Sequence, residues 1–258
     1  MNEQPIASLR ALNRVLVTGG AGFIGSHLVE SLVRRGARVT VVDDFSTGRL
    51  DHLTRVRHAI TLVESELADA VRRGRLAWLQ FDTIFHLAGN PYVPWSVDDP
   101  RCDYTRNLHA SFDLLEALRA LEKPPLLVYA SSGAIYGDPG STPIAEDCRL
   151  APISPYGVSK MAVEQYATVY SRQFGIPVVS LRLFSVYGPR QRKQVVYDLI
   201  RKCRTEPYRL DVSGDGSQER DFIHVTDLVR AILMISERCP GTGEATTSPP
   251  VPATRWHL

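Results

Sequence analysis

Six short β-branched runs recur along the chain, at 15–18 (VLVT), 38–42 (RVTVV), 60–63 (ITLV), 83–87 (TIFHL), 126–130 (LLVYA) and 177–183 (PVVSLRL). Each is too short for a helix. The stretches between them repeat apolar residues at helical spacing, as with Ile24, Leu28 and Leu32 ahead of the helix-stopping Gly36. Strand, helix, strand at this interval predicts right-handed βαβ units, hence an α/β fold with a doubly wound parallel sheet flanked by helices. After residue 184 the rhythm changes to Gly- and Pro-punctuated loops (SVYGPRQ, VSGDGSQERD) with one helical stretch around Val195 to Cys203. A last helix is predicted over Thr226 to Glu237, with Leu228, Ile232 and Ile235 on one face and Thr226 as its cap. Residues 239–255 hold eleven Pro, Thr, Gly or Ser in seventeen, which predicts a disordered tail.

Composition narrows the class. A chain of 258 residues that is 44% hydrophobic is long enough to bury a core, which excludes a disordered or fibrous protein. The net charge is +2, and the 26 arginines are scattered, so no nucleic-acid partner is expected. No run approaches the ~18 apolar residues of a membrane span, and the first fourteen residues lack the apolar core of a leader, so the expectation is a cytoplasmic protein without a membrane partner. Cys102, Cys148, Cys203 and Cys239 form no CxxC pair, so neither a metal site nor a disulfide framework is expected.

The first candidate chemistry is VLVTGGAGFIGSHL, which places Gly19, Gly22 and Gly25 between the first strand and first helix. In that context the three glycines serve a tight turn, close approach to a pyrophosphate and close helix–strand packing, with the helix N-terminus facing the anion. The flanking strand and helix favour a Rossmann dinucleotide turn over the plainer alternative, an ordinary Gly-rich turn. Asp43, eighteen residues past Gly25, can accept both adenosine ribose hydroxyls. Asp43 and Asp44 together would repel a 2′-phosphate, which favours NAD, although Arg49 leaves NADP open. No GK[ST] follows the glycines, which disfavours a P-loop nucleotidase.

The second is SPYGVSK, where Tyr156 and Lys160 stand four apart at a predicted helix start and project from one face. A nearby cation favours phenolate and would bring a phenol that titrates near ~10 towards neutrality, as a general base for a sugar hydroxyl requires. A surface Tyr and Lys pair is the plainer alternative. Ser132, just beyond the fifth strand in YASSGAIYG, stands where open parallel sheets bind ligands and can share the proton path; Ser131 is the lesser candidate, and either can be a turn hydroxyl.

TGGAGFIGSHL, VVDDFSTGR, FHLAG, SSGAIYG, YGVSK, RLFSVYGPRQ and GDGSQERDFIHVTDL together resemble the extended short-chain dehydrogenase/reductase family, in its NDP-sugar epimerase branch of UDP-glucose 4-epimerase type, from about Val15 to Ile235. The resemblance implies a catalytic set of Ser132, Tyr156 and Lys160. It implies NAD held by Gly19, Gly22, Phe23, Ile24 and Gly25, by Asp43 with Asp44 and Phe45, by the Ser46, Thr47 and Gly48 loop, and by Leu67 beside the adenine. Leu87, Ala88 and Gly89 would border the pyrophosphate, Asn107 would support the cofactor, Ser131, Tyr156 and Lys160 would line the nicotinamide end, and Phe184 would lie near the nicotinamide. Substrate would meet Ser132, Tyr156, Ser185, which replaces the family's usual Asn, and Arg220, which is suited to a diphosphate or else pairs with Glu219 or Asp221.

The implied division is a Rossmann NAD-binding domain over 1–183, a small, incomplete substrate lobe over 184–225, a helix at 226–238 returning to the first domain, and the tail. The implied reaction withdraws hydride and proton from the 4-hydroxyl of a nucleotide-diphosphate sugar, a UDP-sugar, and returns hydride to the opposite face of the 4-keto sugar. The family's 4,6-dehydratases carry acid and base side chains where this chain has Gly133 and Ala134, so dehydration or another oxidoreduction is the lesser alternative. The family typically continues beyond the final helix with segments that GTGEATTSPPVPATRWHL does not resemble, which reads as an apparent C-terminal truncation, a natural short form or a frameshifted gene, and keeps a NAD-binding sensor or scaffold without turnover as the rival class. Relatives dimerise through helices like those around Leu108–Leu121 and Val163–Phe174, so a homodimer is expected. His27 and His86 are read as packing or backbone partners, and Trp78 and Trp95 as core or cleft wall.

Overall fold

The computed structural model describes residues 12–76, 81–140, 144–205, 210 and 220–238. Trp78, Cys239 and the expected tail lie outside these. Six strands, β1 (Arg14–Thr18), β2 (Arg38–Asp43), β3 (Ile60–Glu64), β4 (Thr83–His86), β5 (Leu126–Ser132) and β6 (Val178–Leu183), form one sheet in the order β3-β2-β1-β4-β5-β6. Every pairing is parallel. The order reverses between β1 and β4, which opens a crevice beyond their carboxyl ends.

The inner strands β1, β2, β4 and β5 are largely buried on both faces, the edge strands β3 and β6 only partly covered, and alternation along the strands sends side chains into two cores. Val15, Val17, Val39, Val41, Phe85 and Val128 point to one side, where they meet Leu28, Val29 and Leu32 of α1 (Phe23–Arg34). Leu16, Ile84 and Leu127 point to the other, against α2 (Leu67–Arg72), α5 (Ala110–Arg119) and α6 (Pro155–Phe174). Between β4 and α5 lie α3 (Val93–Asp98), α4 (Pro100–Asp103) and a π-helical turn at Tyr104–His109. The helix expected around Leu108–Leu121 is therefore regular only from Ala110.

Beyond β6, β7 (Ser185–Tyr187) pairs in parallel with β8 (Phe222–His224), and α7 (Gln194–Thr205) lies between them in sequence. The last helix, α8 (Val225–Arg238), buries Leu228, Val229, Ile232 and Leu233 in the core that α1 lines, with Ile235 only partly covered. Thr226 does not cap it. The helix has already begun at Val225, and the ring Nδ1 of His224 accepts from the Thr226 backbone N–H at 3.4 Å and pairs with its hydroxyl at 2.7 Å. The imidazole supplies the acceptor that propensity assigned to threonine. Among the described residues no helix is long and apolar enough to cross a membrane.

Candidate active site

A cleft of about 470 Å³ opens where the sheet order reverses. Its floor is the glycine turn. Gly19 has φ +69° and lies against the Leu87–Ala88 backbone, while a Cβ on Gly25 would stand 2.2 Å from the Gly19 carbonyl oxygen. Only glycine permits either approach. Gly22 caps α1 without a side-chain bond, so the first-turn N–H groups face the cleft with no side chain in their way. Asp43, at the end of β2, accepts from the N–H groups of Ala21 (2.8 Å) and Phe45 (2.9 Å). Burial raises its pKa, and those two bonds oppose the rise. His52 Nδ1 donates to the Ala21 carbonyl at 2.9 Å, fastening the turn from its other side.

The opposite wall is β5 and the start of α6. The segment Ser154-Pro155-Tyr156-Gly157 is a helix-start sequence: the Ser154 hydroxyl accepts from the Gly157 N–H at 3.1 Å and Pro155 occupies the first turn. That start brings Tyr156 and Lys160 to the cleft beside Ser132. The Lys160 ammonium donates to the Ala130 carbonyl at 2.9 Å and lies 5.0 Å from the Tyr129 ring centre and 5.7 Å from that of Tyr156. Burial lowers its pKa to about 8, against the pull of Asp103, so at neutral pH it remains a cation.

Tyr156 does not titrate towards neutrality in this state. Burial pushes its phenol up, Ser132 works against that, and the Asp103 charge adds to it. The expected acidification fails because Lys160 sits over the ring face and bonds a carbonyl rather than the phenolic oxygen. Ser131 is tied down, since its hydroxyl donates to Glu164 at 2.8 Å, and Glu164 in turn takes the Arg182 guanidinium. Ser132, whose hydroxyl accepts from the Ala134 N–H at 3.2 Å, is the serine placed beside the Tyr156 phenol.

Beneath this wall lies a polar layer that sequence reasoning missed. Asp103, fully buried, accepts from Asn107 Nδ2 (2.7 Å), Asn90 Nδ2 (3.2 Å) and the Ser159 hydroxyl (2.8 Å). Of the two histidines read as packing or backbone partners, His27 meets a backbone carbonyl and His86 meets side-chain hydroxyls. His27 donates to the Pro189 carbonyl at 3.0 Å. His86 is wholly buried between the Thr18 and Ser111 hydroxyls at 2.8 Å each. The Ser111 hydroxyl donates to the Asn107 carbonyl and therefore accepts from His86 Nε2–H, which leaves Nδ1 of the neutral ring to accept from the Thr18 hydroxyl. Burial lowers the His86 pKa to about 3, so the ring is neutral.

Of the residues predicted to bind cofactor, Gly19, Gly22, Phe23, Ile24, Gly25, Asp43, Asp44, Ser46, Thr47, Leu67, Leu87, Ala88, Gly89, Ser131 and Phe184 line the cleft. Phe45, Gly48 and Asn107 stand behind the lining: Phe45 donates to Asp43, Gly48 backs onto the Asp43 carboxylate, and Asn107 packs under Gly89. Ser185 in β7 and Arg220, which is exposed, are not on its wall. The cleft also gathers residues no motif announced, among them Tyr92, Val93, Arg106 and the run of Arg192, Lys193 and Gln194, which directly follows the RLFSVYGPRQ motif. Trp95 is 43% exposed, beside the cleft rather than in a core.

Residues 15–245 match the NAD dependent epimerase/dehydratase family. The chain belongs to that family. It is 36% identical over 225 residues to a UDP-glucose 4-epimerase of Mycolicibacterium smegmatis, covering 85% of this chain and 72% of that one. The structure of a UDP-glucose 4-epimerase with UDP-glucose from Thermotoga maritima matches with a TM-score of 0.79 and 35% identity, over 87% of this chain and 73% of the other. The UDP-glucose 4-epimerase complex with NAD from Thermus thermophilus matches at 0.75 and 36%, over 86% and 74%. As a NAD-dependent family member the chain has a cleft that suits that dinucleotide: a glycine cradle that any Cβ would fill, a bare helix N-terminus and a carboxylate at the end of β2. Arg49, which kept a 2′-phosphate in play, is paired with Asp51 at 3.0 Å and does not line the cleft.

Proposed function

We propose that this chain is a NAD-dependent NDP-sugar epimerase that inverts a UDP-sugar at C4 through a transient 4-keto sugar. The observation that carries this reading is the convergence of Ser132, Tyr156 and Lys160 on one wall of a cleft whose floor is the glycine cradle. When bound, NAD supplies the hydride acceptor and a positively charged ring that favours phenolate. Tyr156 takes the proton of the 4-hydroxyl and later returns it, Ser132 holds the same sugar oxygen, and Lys160 contributes fixed positive charge beside the phenol. The glycine turn and Asp43 hold the dinucleotide in register with that wall.

Elimination of water needs a further acid, and Phe184 occupies the space for one. A Cβ on Gly133 would stand 2.7 Å from the Phe184 ring, so an acidic side chain there would displace it. This favours epimerisation, even though a neighbour at 33% identity and TM-score 0.77 is a NAD-dependent NDP-hexosamine 5,6-dehydratase. The outer faces of α5 and α6, with Tyr166, Val169 and Phe174 exposed, suit a homodimer, and the location we assign is the cytoplasm. The test is incubation with NAD and UDP-glucose, following UDP-galactose by chromatography. Conversion supports the epimerase; NAD binding without conversion of UDP-glucose or other UDP-hexoses favours a sensor or scaffold.

A further inference from the structure

Lys193 stands on the loop between β7 and α7 at the rim of the cleft. Its Nζ lies 3.3 Å from the centre of the Trp95 ring and 5.6 Å from that of Tyr92. It is shielded from solvent and has no hydrogen-bond partner. Aromatic faces stabilise a cation but accept none of its three N–H groups in a directed bond, so the ammonium rests in a seat that satisfies its charge and leaves its donors idle. Burial also lowers its pKa, which an anion at the same place would reverse.

The loop is fixed in position. His27 donates to the Pro189 carbonyl, Arg190 pairs with the buried Glu30, and the Gln191 amide donates to the Val186 carbonyl at 3.0 Å. Arg190 and Gln194 hold φ +73° and +72°, a left-handed conformation that ordinary residues adopt at a cost. Strain on both sides of Lys193, held by buried contacts, presents this cation at the cleft mouth. Arg220, the cation expected to meet a diphosphate, is not on that wall.

We infer that Lys193 is a specificity-determining residue that receives an oxyanion of the sugar nucleotide, either a diphosphate oxygen or a carboxylate on the sugar, by moving from its seat on Trp95. The inference rests on the reading of the cleft as a nucleotide-sugar site. It is tested on the NAD-loaded protein by titrating UDP, UDP-glucose and UDP-glucuronate into wild type, Lys193→Met, Lys193→Arg and Trp95→Phe, with calorimetry and indole emission as readouts. Lys193→Met is expected to weaken binding about 10- to 100-fold, with Lys193→Arg retaining most affinity and NAD affinity unchanged. Equal weakening of all three ligands places the diphosphate at Lys193; weakening of UDP-glucuronate alone places the carboxylate there. Ligand binding should alter indole emission in wild type but not in Lys193→Met or Trp95→Phe. Wild-type affinity in Lys193→Met, or an equal loss of NAD affinity, overturns the inference and leaves the proposed function standing. Wild type that binds none of the three overturns both.

Discussion

The two sides of the cleft are held by opposite means. On the β5–α6 side the charged groups near the triad are bonded, Asp103 by two amides and a hydroxyl, Lys160 by a carbonyl, Glu164 by Ser131 and Arg182, and among the described residues only the neutral Tyr129 hydroxyl and Asn107 Oδ1 are buried there without a partner. Burial works against the charge of Arg182, but Glu164 more than offsets it and raises its pKa. On the 188–194 side, Lys193 Nζ and one terminal nitrogen of Arg190 are buried without partners, and the backbone carries two left-handed non-glycine residues. A satisfied network fixes one geometry, as proton transfer requires. An unsatisfied rim has something to gain from a ligand, as substrate selection requires. Under the proposed function the first wall carries the chemistry and the second the discrimination.

The largest expected effect tests the bonded wall directly. Tyr156→Phe should keep NAD affinity and lower epimerase turnover by about 10²–10⁴, read from UDP-galactose formation beside a NAD titration; near-normal turnover removes Tyr156 as the base. Next, Asp103→Ala should cost about 3–5 kcal/mol in chemical denaturation, because it strands two amides and a hydroxyl and leaves Lys160 without its counter-charge. A loss under about 1 kcal/mol would mean the network is not what stiffens this wall.

The third effect is pH-dependent. The neutral His86 has its pKa depressed from 6.5 to about 3, so between those values the unfolded chain binds the extra proton. The stability it contributes is full above pH 6.5 and is lost as pH falls towards 3, a decline of a few kcal/mol that His86→Gln should flatten in melting temperatures against pH. Fourth, Asp43→Ala should weaken NAD about 10- to 100-fold and relax discrimination against NADP; unchanged preference would mean the ribose is held elsewhere. The smallest effect belongs to the rim. Gln191→Ala removes bonds to the Val186 carbonyl and the Gln194 side chain and should cost about 1 kcal/mol or less, and a loss as large as that of Asp103→Ala would erase the contrast between the two sides.

Most of the α/β framework was legible because its signals are local. All six predicted strands form, since a β-branched run between helical stretches is self-evident along the chain. The glycine turn and the Ser-Pro start of α6 were equally plain, each encoding its own backbone conformation. Thr226 was misassigned because propensity favours a threonine cap and does not register that His224, two residues earlier, turns its ring back onto the helix. Asp103 went unnoticed because a lone Asp between PRC and YTR has no pattern; it becomes a hub only when Asn90, Asn107 and Ser159 close around it. Arg220 and Ser185 sit within recognisable motifs but do not line this cleft.

From sequence alone came the parallel sheet, the dinucleotide cradle and the expectation that Ser132, Tyr156 and Lys160 meet beyond the carboxyl ends of the strands, because period, turn chemistry and helix caps act over a few neighbouring residues. Tertiary structure alone decided the electrostatics. Burial raised the Tyr156 phenol against expectation, seated Lys193 on Trp95 and tied Ser131 to Glu164 while Ser132 stayed beside the phenol. Charge and desolvation act through space, between residues up to about a hundred positions apart, and only the folded chain brings them within range.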